Sequence, residues 1–386
     1  MARGMMERIL RLMAEKKASD LYLSANAPAM LKINGLTSPI NGQVLSADAT
    51  LNLLSEFLPA SGVEELLRTG ELNTAVPIEG VGNFRLSAMR QRGSYAAVFR
   101  FVPTAIPSLE SLNVAPVLAD LVLEKRGLIL MTGASGAGKS TTLAAMLDLR
   151  NRMIGGHILT VEDPIEYVFR NKKSVINQRE VGLDTASLQV GLKNALRQAP
   201  DVIMIGEIRD RETMSSAIAY AQSGHLCMAT LHANNSYQAL NRILSFYPPE
   251  VRPTMLGDLA AALRSIVSQR LLRTHTGERL PSMEILLNTA LVKDLIQKAD
   301  FSGVREAMEK STAVGSQSFE QDLARLVTEG KVSRSEAIAH ADSANNLLWR
   351  LQNDFHNAAT HTQLAITEEE CDDEASFTDF TLDVKH

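Results

Sequence analysis

Residues 133–140 match the pattern G-x-x-x-x-G-K-[ST] of a phosphate-binding loop at every position. The glycines let the backbone curl so that successive N–H groups face inward, and the following helix adds the positive end of its dipole. In such a loop Lys139 reaches the β- and γ-phosphate oxygens, and the Ser140 hydroxyl contacts Mg²⁺. The sequence therefore predicts a site for ATP and Mg²⁺ formed by Gly133, Ala134, Ser135, Gly136, Ala137, Gly138, Lys139, Ser140, Thr141 and Thr142.

A second requirement for phosphate chemistry is a carboxylate at the end of a neighbouring strand, where it can hold Mg²⁺ through water. Residues 202–205 read as a short buried strand, and Glu207 follows it closely. We therefore predict Glu207 in the Mg²⁺ shell together with Ser140. The alternative is a solvated acid at a strand end.

Three further carboxylates, Glu162, Asp163 and Glu166, follow another predicted strand and flank Pro164. In parallel α/β sheets the carboxyl ends of the strands are where ligands bind. A carboxylate beside the γ-phosphate can orient and deprotonate the attacking water. A solvated acidic loop is the alternative interpretation.

Two histidines, His225 and His232, stand at the two ends of a predicted strand at 226–231. No third candidate ligand lies nearby in sequence, so we do not predict a metal site. Sensing of the γ-phosphate requires this strand to lie next to the phosphate-binding loop. Otherwise both residues are hydrogen-bonded structural histidines.

The elements that position these residues alternate between strand and helix after residue 112, which predicts βαβ units, a parallel sheet and an α/β fold. The segment before residue 107 predicts a small α+β domain, with a helix-rich stretch at about 48–67 and a hairpin turning at Arg92-Gly93. Arg85 and Arg100 lie on the hairpin strands and, from the residues alone, are solvated. Beyond Pro253 the pattern is mostly helical. The predicted domains are 1–107 with a linker near 103–110, then 111–352, and an acidic tail at 353–386.

Composition narrows the classes of function. The net charge is −5, and residues 346–386 carry −7, so the rest of the chain carries +2. This nearly neutral body gives no electrostatic case for nucleic acid. The two cysteines, Cys227 and Cys371, are far apart, which argues against a disulfide framework or a zinc ribbon and favours a cytoplasmic setting. No apolar run approaches the roughly 18 residues that a membrane span needs.

Taken in order, the four motifs resemble the secretion ATPases of type II secretion and type IV pili. Within that superfamily the chain is most similar to the retraction motors of twitching motility, the PilT/PilU type. Segments 19–23 and 310–320 are similar to the opening and late segments of this subgroup. The resemblance extends from about Arg8 to Leu348.

The resemblance implies a PAS-like N-terminal domain, a RecA-like ATPase domain and a hexameric ring. It assigns the general base to Glu166, the shaping of the carboxylate box to Glu162 and Asp163, and the Mg²⁺ role to Glu207. It gives His225 and His232 the roles of the family's histidine box. It also implies that Arg85 and Arg100 reach a nucleotide from the N-terminal domain.

One segment departs from the retraction motors. These motors carry an Ala-Ile-Arg-Asn-Leu-Ile-type helix, whereas this chain reads Ala-Leu-Val-Lys-Asp-Leu-Ile at 290–296. Lys293 in place of arginine is not a neutral exchange at a bidentate site. With the acidic tail, it favours the accessory PilU-like branch. The implied partners are an inner-membrane platform protein and a paralogous motor, at the cytoplasmic face of that membrane.

Three alternatives stay open. A pilus assembly or type II secretion ATPase usually carries a tetracysteine zinc element and a longer N-terminal region. A RecA-like motor on nucleic acid should have a basic groove. A non-catalytic ring partner would bind ATP without turnover, against which the intact Lys139, Glu166 and Glu207 argue.

Overall fold

The computed structural model describes residues 4–33, 35–102, 105–311 and 313–353. Its first part is a six-stranded antiparallel sheet in the order β3-β2-β1-β6-β5-β4, covered by three helices. The strands are β1 (Asp20–Leu23), β2 (Pro28–Ile33), β3 (Leu36–Val44), β4 (Glu71–Ile78), β5 (Gly82–Gln91) and β6 (Ser94–Val102). The helices are α1 (Met5–Glu15), α2 (Ala49–Phe57) and α3 (Ala60–Thr69).

The hairpin between β5 and β6 forms where the sequence predicts it. Arg92 and Gly93 both have positive φ angles, of 47° and 75°, which is the backbone that a tight two-residue hairpin requires. Alternate residues of β5 are buried, and Phe84 and Leu86 pack beneath the helices in one apolar core. The sheet therefore presents its other face, which carries Arg85, away from this core.

The second part is a seven-stranded sheet in the order β13-β12-β7-β11-β10-β8-β9. Every neighbouring pair is parallel except β12 and β13. The strands are β7 (Gly127–Thr132), β8 (Gly156–Glu162), β9 (Ser174–Glu180), β10 (Val202–Ile205), β11 (Leu226–Leu231), β12 (Leu263–Arg273) and β13 (Arg279–Leu287). The prediction of an α/β fold, with a small α+β domain before a mostly parallel sheet, is confirmed.

Helices cover both faces of this sheet. The central strands β7, β10 and β11 are buried along their whole length, because apolar clusters pack on each side of them. The helices are α4 (Val117–Leu123), α5 (Lys139–Met153), α6 (Leu188–Ala195), α7 (Arg211–Gln222), α8 (Ser236–Ser245), α9 (Arg252–Ala262), α10 (Ala290–Gln297), α11 (Phe301–Glu309), α12 (Phe319–Thr328) and α13 (Arg334–His340). A further helical segment lies at 344–353.

The region beyond Pro253 contains two strands that the sequence analysis did not predict. The described part of this region is mostly helical, as predicted, but it also contains β12 and β13, which form a long antiparallel pair. Both strands are buried on both faces over most of their length, so they lack the alternation that marks a strand. The helix-rich stretch predicted at 48–67 is confirmed as two helices, α2 and α3, with extended backbone at Pro59 between them.

The predicted boundaries lie partly outside the described residues. Residues 103 and 104 of the linker and residues 354–386 of the acidic tail are not described. The two sheets lie on either side of the predicted division near residue 107, and the boundaries themselves stay a prediction. Among the described residues, no helix combines the length and apolar character that crossing a bilayer requires.

A buried glutamate joins the sheet to the helices near the phosphate-binding loop. Glu284 Oε1 accepts a hydrogen bond from the Ser236 backbone N–H at 2.6 Å and one from Ser268 Oγ at 3.2 Å. The Thr132 hydroxyl donates in turn to Ser268 Oγ at 2.9 Å. Burial raises the pKa of Glu284 above its usual range. The carboxylate is thus costly to keep charged in this position.

We expect Glu284→Gln to stabilise the protein at high pH. A carboxyl whose pKa is raised by folding stabilises the protein below its unfolded pKa and loses that contribution as pH rises through the folded value. The amide stays neutral, keeps an acceptor for Ser236, and should raise Tm by about 2–4 °C at pH 8, the shift that corresponds to about 1 kcal/mol. The gain should shrink as pH falls towards 5. Thermal scans over this range, with the exposed Glu278→Gln as control, test the idea, and a lower Tm for Glu284→Gln at pH 8 contradicts it.

Candidate nucleotide site

The loop at 133–138 connects buried β7 to the first turn of α5. Gly136 and Gly138 have φ angles of 78° and 85°, and Gly133 has 146°, values that side-chain-bearing residues rarely adopt. A Cβ on Gly133 would lie 2.5 Å from the Gln269 carbonyl oxygen. The loop therefore needs glycine both for its curl and for its close approach to β12.

Gln269 of β12 holds the loop from below, and the sequence analysis missed it. Its side chain is buried, its Nε2 donates to the Ala137 carbonyl at 2.7 Å, and its Oε1 accepts from Thr142 Oγ1 at 2.8 Å. The sequence could have revealed Gln269 as a polar residue within a buried strand. Residues 263–273 were not predicted as a strand, so this signal was lost.

Lys139 lies at the start of α5 with 8 % of its surface exposed. Its ammonium donates to the carbonyl oxygens of Gly133 and Ala134, each at 2.8 Å. Burial lowers the pKa of Lys139, and the nearby carboxylates Glu207 and Glu166 oppose this shift. The lysine is held inside the loop at the position where phosphate oxygens are expected.

The other predicted loop residues line the same turn. Ala134, Ser135 and Gly136 are exposed at its outer side. Ser140 and Thr141 are half-buried at the start of α5, where the free N–H groups of a helix favour an anion. The Thr141 hydroxyl lies 2.8 Å from the Tyr167 hydroxyl, which ties the loop to the carboxylate box.

The sheet register brings the predicted carboxylates together. β8 and β10 are parallel neighbours, with Val161 opposite Ile205, so the segments after both strands leave the sheet side by side. A Cβ on Gly206 would lie 3.1 Å from the Glu162 Cα, which shows how closely the two segments pass. This edge is also where β7 enters the phosphate-binding loop, since β11 pairs in parallel with both β10 and β7.

Glu207 is held at this edge by two partners. Its Oε1 lies 3.1 Å from His232 Nε2, and its Oε2 lies 2.8 Å from Arg209 NH2. Among the described residues, no group of three or more His, Cys, Asp and Glu side chains is arranged to hold a metal ion. Mg²⁺ prefers one or two protein oxygens with waters and phosphates completing its shell. The Ser140 hydroxyl and the Glu207 carboxylate fit that donor set.

The carboxylate box contains two kinds of acid. Glu162 is buried and accepts from Thr160 Oγ1 at 2.6 Å and from Gln178 Nε2 at 3.2 Å, and burial raises its pKa. Asp163 and Glu166 are exposed, and Asp163 Oδ2 lies 3.5 Å from Arg209 NH1. The geometry gives Glu162 a supporting position and leaves Glu166 accessible to a reactant.

Arg85 reaches this box from the antiparallel sheet. Its NH2 donates to the Ile165 carbonyl at 2.6 Å and to Glu180 Oε2 at 2.8 Å. Arg100 lies opposite Arg85 on β6, is largely exposed, and donates through Nε to Asp20 Oδ1 at 2.9 Å. The structure therefore brings Arg85 to the predicted site and pairs Arg100 within its own sheet.

The two histidines lie at opposite edges of the sheet. His232 follows β11 at the loop edge, next to Glu207. His225 precedes β11, and its backbone carbonyl accepts from the Gly127 N–H at the start of β7. Its Nδ1 lies 3.0 Å from Ser223 Oγ. Since the six residues of β11 span about 20 Å, the structure does not bring His225 to the loop of its own chain.

Comparison with known proteins assigns the chain to a family. The family model of the type II/IV secretion system protein matches residues 68–363. The chain belongs to this family. The family predicted from the motifs is thereby confirmed.

Three similar proteins match this chain over most of its length. The type IV pilus ATPase PilU of Pseudomonas aeruginosa is 45 % identical over 92 % of this chain and 93 % of its own length. The type IV pilus retraction ATPase PilT of the same organism is 35 % identical over 88 % and 98 %. The crystal structure of the pilus retraction motor PilT with bound ADP superposes with a TM-score of 0.80, at 35 % identity over 88 % of this chain and 98 % of that one.

We expect Gln269→Leu to weaken ATP binding by this secretion-family protein by about tenfold. Loss of the amide leaves the Ala137 carbonyl and the Thr142 hydroxyl without their partner, a penalty of about 1–3 kcal/mol at a buried site. Equilibrium binding of ATP measures the effect, with Tm recorded to show that the variant is folded. Gln222→Leu, an exposed change on α7, is the matched control, and an unchanged Kd for Gln269→Leu rules out this supporting role.

Proposed function

We propose that this chain is a Mg²⁺-dependent ATPase that powers the retraction of type IV pili. The observation that carries the proposal is the junction of the phosphate-binding loop with the carboxylate edge of the parallel sheet. Lys139, Glu207 and Glu166 lie close enough for both carboxylates to influence the lysine. The names of the PilU and PilT relatives, which match over most of their length, support pilus retraction as the task.

Each group then has a separate part in hydrolysis. The loop N–H groups and Lys139 hold the β- and γ-phosphates. Ser140 and Glu207 hold Mg²⁺, which neutralises charge on the phosphates when bound. Glu166 orients the attacking water and accepts its proton. His232, whose Nε2 lies 3.1 Å from Glu207 Oε1, responds to the γ-phosphate.

Arg85 supplies a positive charge to this site from the N-terminal domain. Its contacts with Ile165 and Glu180 bring the guanidinium close to the predicted base. Burial lowers the pKa of Arg85, and the carboxylates Glu180 and, after it, Glu166 oppose this shift. Arg100, which pairs with Asp20 on its own sheet, joins the nucleotide only when domains or subunits move. A hexameric ring provides such movements, and we assign the chain to one.

Within the retraction motors we assign the chain to the accessory branch. α10 carries Lys293 where the resembling motors have arginine, and Leu291 of the same helix is 57 % exposed. The greater identity to PilU than to PilT, 45 % against 35 %, supports the assignment. The motor then acts at the cytoplasmic face of the inner membrane on a platform protein, together with a paralogous ATPase.

Two substitutions should separate binding from hydrolysis. Lys139→Ala should weaken ATP binding by about 10–100-fold, because charged hydrogen bonds to the phosphates are lost. Glu166→Gln should keep the affinity and lower kcat by about 10²–10⁴-fold, as loss of a general base does. Measured Kd and turnover test both, with the exposed Glu278→Gln as control. Normal turnover of Glu166→Gln would remove this residue from the mechanism.

Retraction itself is tested in cells. In a piliated strain that lacks its own copy of this gene and retains a paralogous motor, the wild-type chain should restore twitching and Glu166→Gln should not. In a strain that lacks both motors, the chain alone should leave pili extended. Restored twitching in the double deletion would overturn the accessory role while leaving the ATPase assignment in place.

A further inference from the structure

Glu180 is a carboxylate at the candidate site that contacts Arg85 and to which the proposed function assigns no role of its own. It ends β9, directly opposite Glu162 at the end of β8. Its own backbone is fixed by a tight turn, since its N–H donates to Asp184 Oδ2 at 2.8 Å and its carbonyl accepts from the Asp184 N–H at 2.8 Å. Such a rigid backbone suits a side chain that must hold other groups in place.

One oxygen of this carboxylate joins two segments that are far apart in sequence. Glu180 Oε2 accepts from Arg85 NH2 at 2.8 Å and from the Ile165 backbone N–H at 3.0 Å. Arg85 NH2 also donates to the Ile165 carbonyl at 2.6 Å. The three residues form a closed set of hydrogen bonds. Within it, both the N–H and the carbonyl oxygen of Ile165 have a partner.

The set is largely shielded from water. The side chains of Arg85 and Glu180 are 20 % and 18 % exposed, so their charge-assisted bonds are screened less than those of surface pairs. Arg100, the other arginine on this face of the antiparallel sheet, is 67 % exposed and bonds to Asp20. Of these two arginines, Arg85 therefore contacts Glu180 across the two sheets, and Arg100 is paired within its own sheet.

We propose that Glu180 is a positioning residue that docks Arg85 of the N-terminal domain onto the carboxylate box and fixes the backbone next to Glu166. Because Ile165 directly precedes Glu166, an anchored residue 165 limits where the base can point. Arg85 enters the same set, so the orientation of the N-terminal domain and the position of the base are set together. This inference rests on the proposed role of Glu166 in hydrolysis.

A double-mutant cycle on Arg85 and Glu180 tests the proposal in the full-length protein. Glu180→Ala should lower kcat by about tenfold or more and change the Kd for a non-hydrolysable ATP analogue by less than about threefold. Glu180→Gln keeps an acceptor for the Ile165 N–H and loses the charge that holds Arg85, so its kcat should fall less. The double variant Arg85→Ala/Glu180→Ala should be hardly slower than the slower single variant, because the two residues act as one unit.

The controls separate positioning from a general structural role. Glu329→Ala removes an exposed partner of Arg325 on the far helices and should leave kcat unchanged. Wild-type kcat in Glu180→Ala, additive effects in the double variant, or equal losses of kcat, affinity and Tm would each overturn the proposal. If the wild-type protein does not turn over ATP, the proposed ATPase function itself is wrong. This outcome differs from wild-type turnover in Glu180→Ala, which contradicts only the role of Glu180.

Discussion

The close packing of the phosphate-binding loop on β12 is the constraint on which the rest of the site depends. At Gly133 a Cβ would lie 2.5 Å from the Gln269 carbonyl oxygen, and at Gly138 one would lie 2.7 Å from the Gln269 Nε2. Two glycines therefore meet one glutamine from opposite ends of the loop. Gln269 also donates to the Ala137 carbonyl, so the same side chain both limits the space around the loop and anchors its backbone.

The parallel register of the sheet then decides which residues join the loop. Residues that follow β8, β10 and β11 reach the edge at which β7 ends, and residues that precede these strands lie one strand length away, about 13 Å for β10 and about 20 Å for β8 and β11. His232 and His225 lie at opposite edges of the sheet for this reason, although only seven positions separate them in the sequence. Glu207 and His232 meet because β10 and β11 are neighbours and end at the same level.

The sequence was most informative where a local pattern has a local physical cause. The loop, the strands at 202–205 and 226–231, and the hairpin at Arg92-Gly93 depend on residues close together in the chain. Gln269 and Glu180 were missed, because each acts on residues far away in sequence: Gln269 on Ala137 and Glu180 on Arg85. β12 was missed for a related reason, since it is buried on both faces and has no alternation to detect.

Three of the carboxylates at this edge of the sheet have hydrogen-bond or ion-pair partners. Glu162 is satisfied by Thr160 and Gln178, Glu207 by His232 and Arg209, and Glu180 by Arg85 and the Ile165 N–H. Glu166 differs from these three acids because it is exposed while its neighbours hold the backbone around it. A general base needs an accessible lone pair and a fixed position. An exposed side chain meets both requirements only when neighbouring residues hold its backbone in place. Under the proposed role of Glu166 as the base, the acids around it contribute to hydrolysis through the order that they impose on this exposed carboxylate.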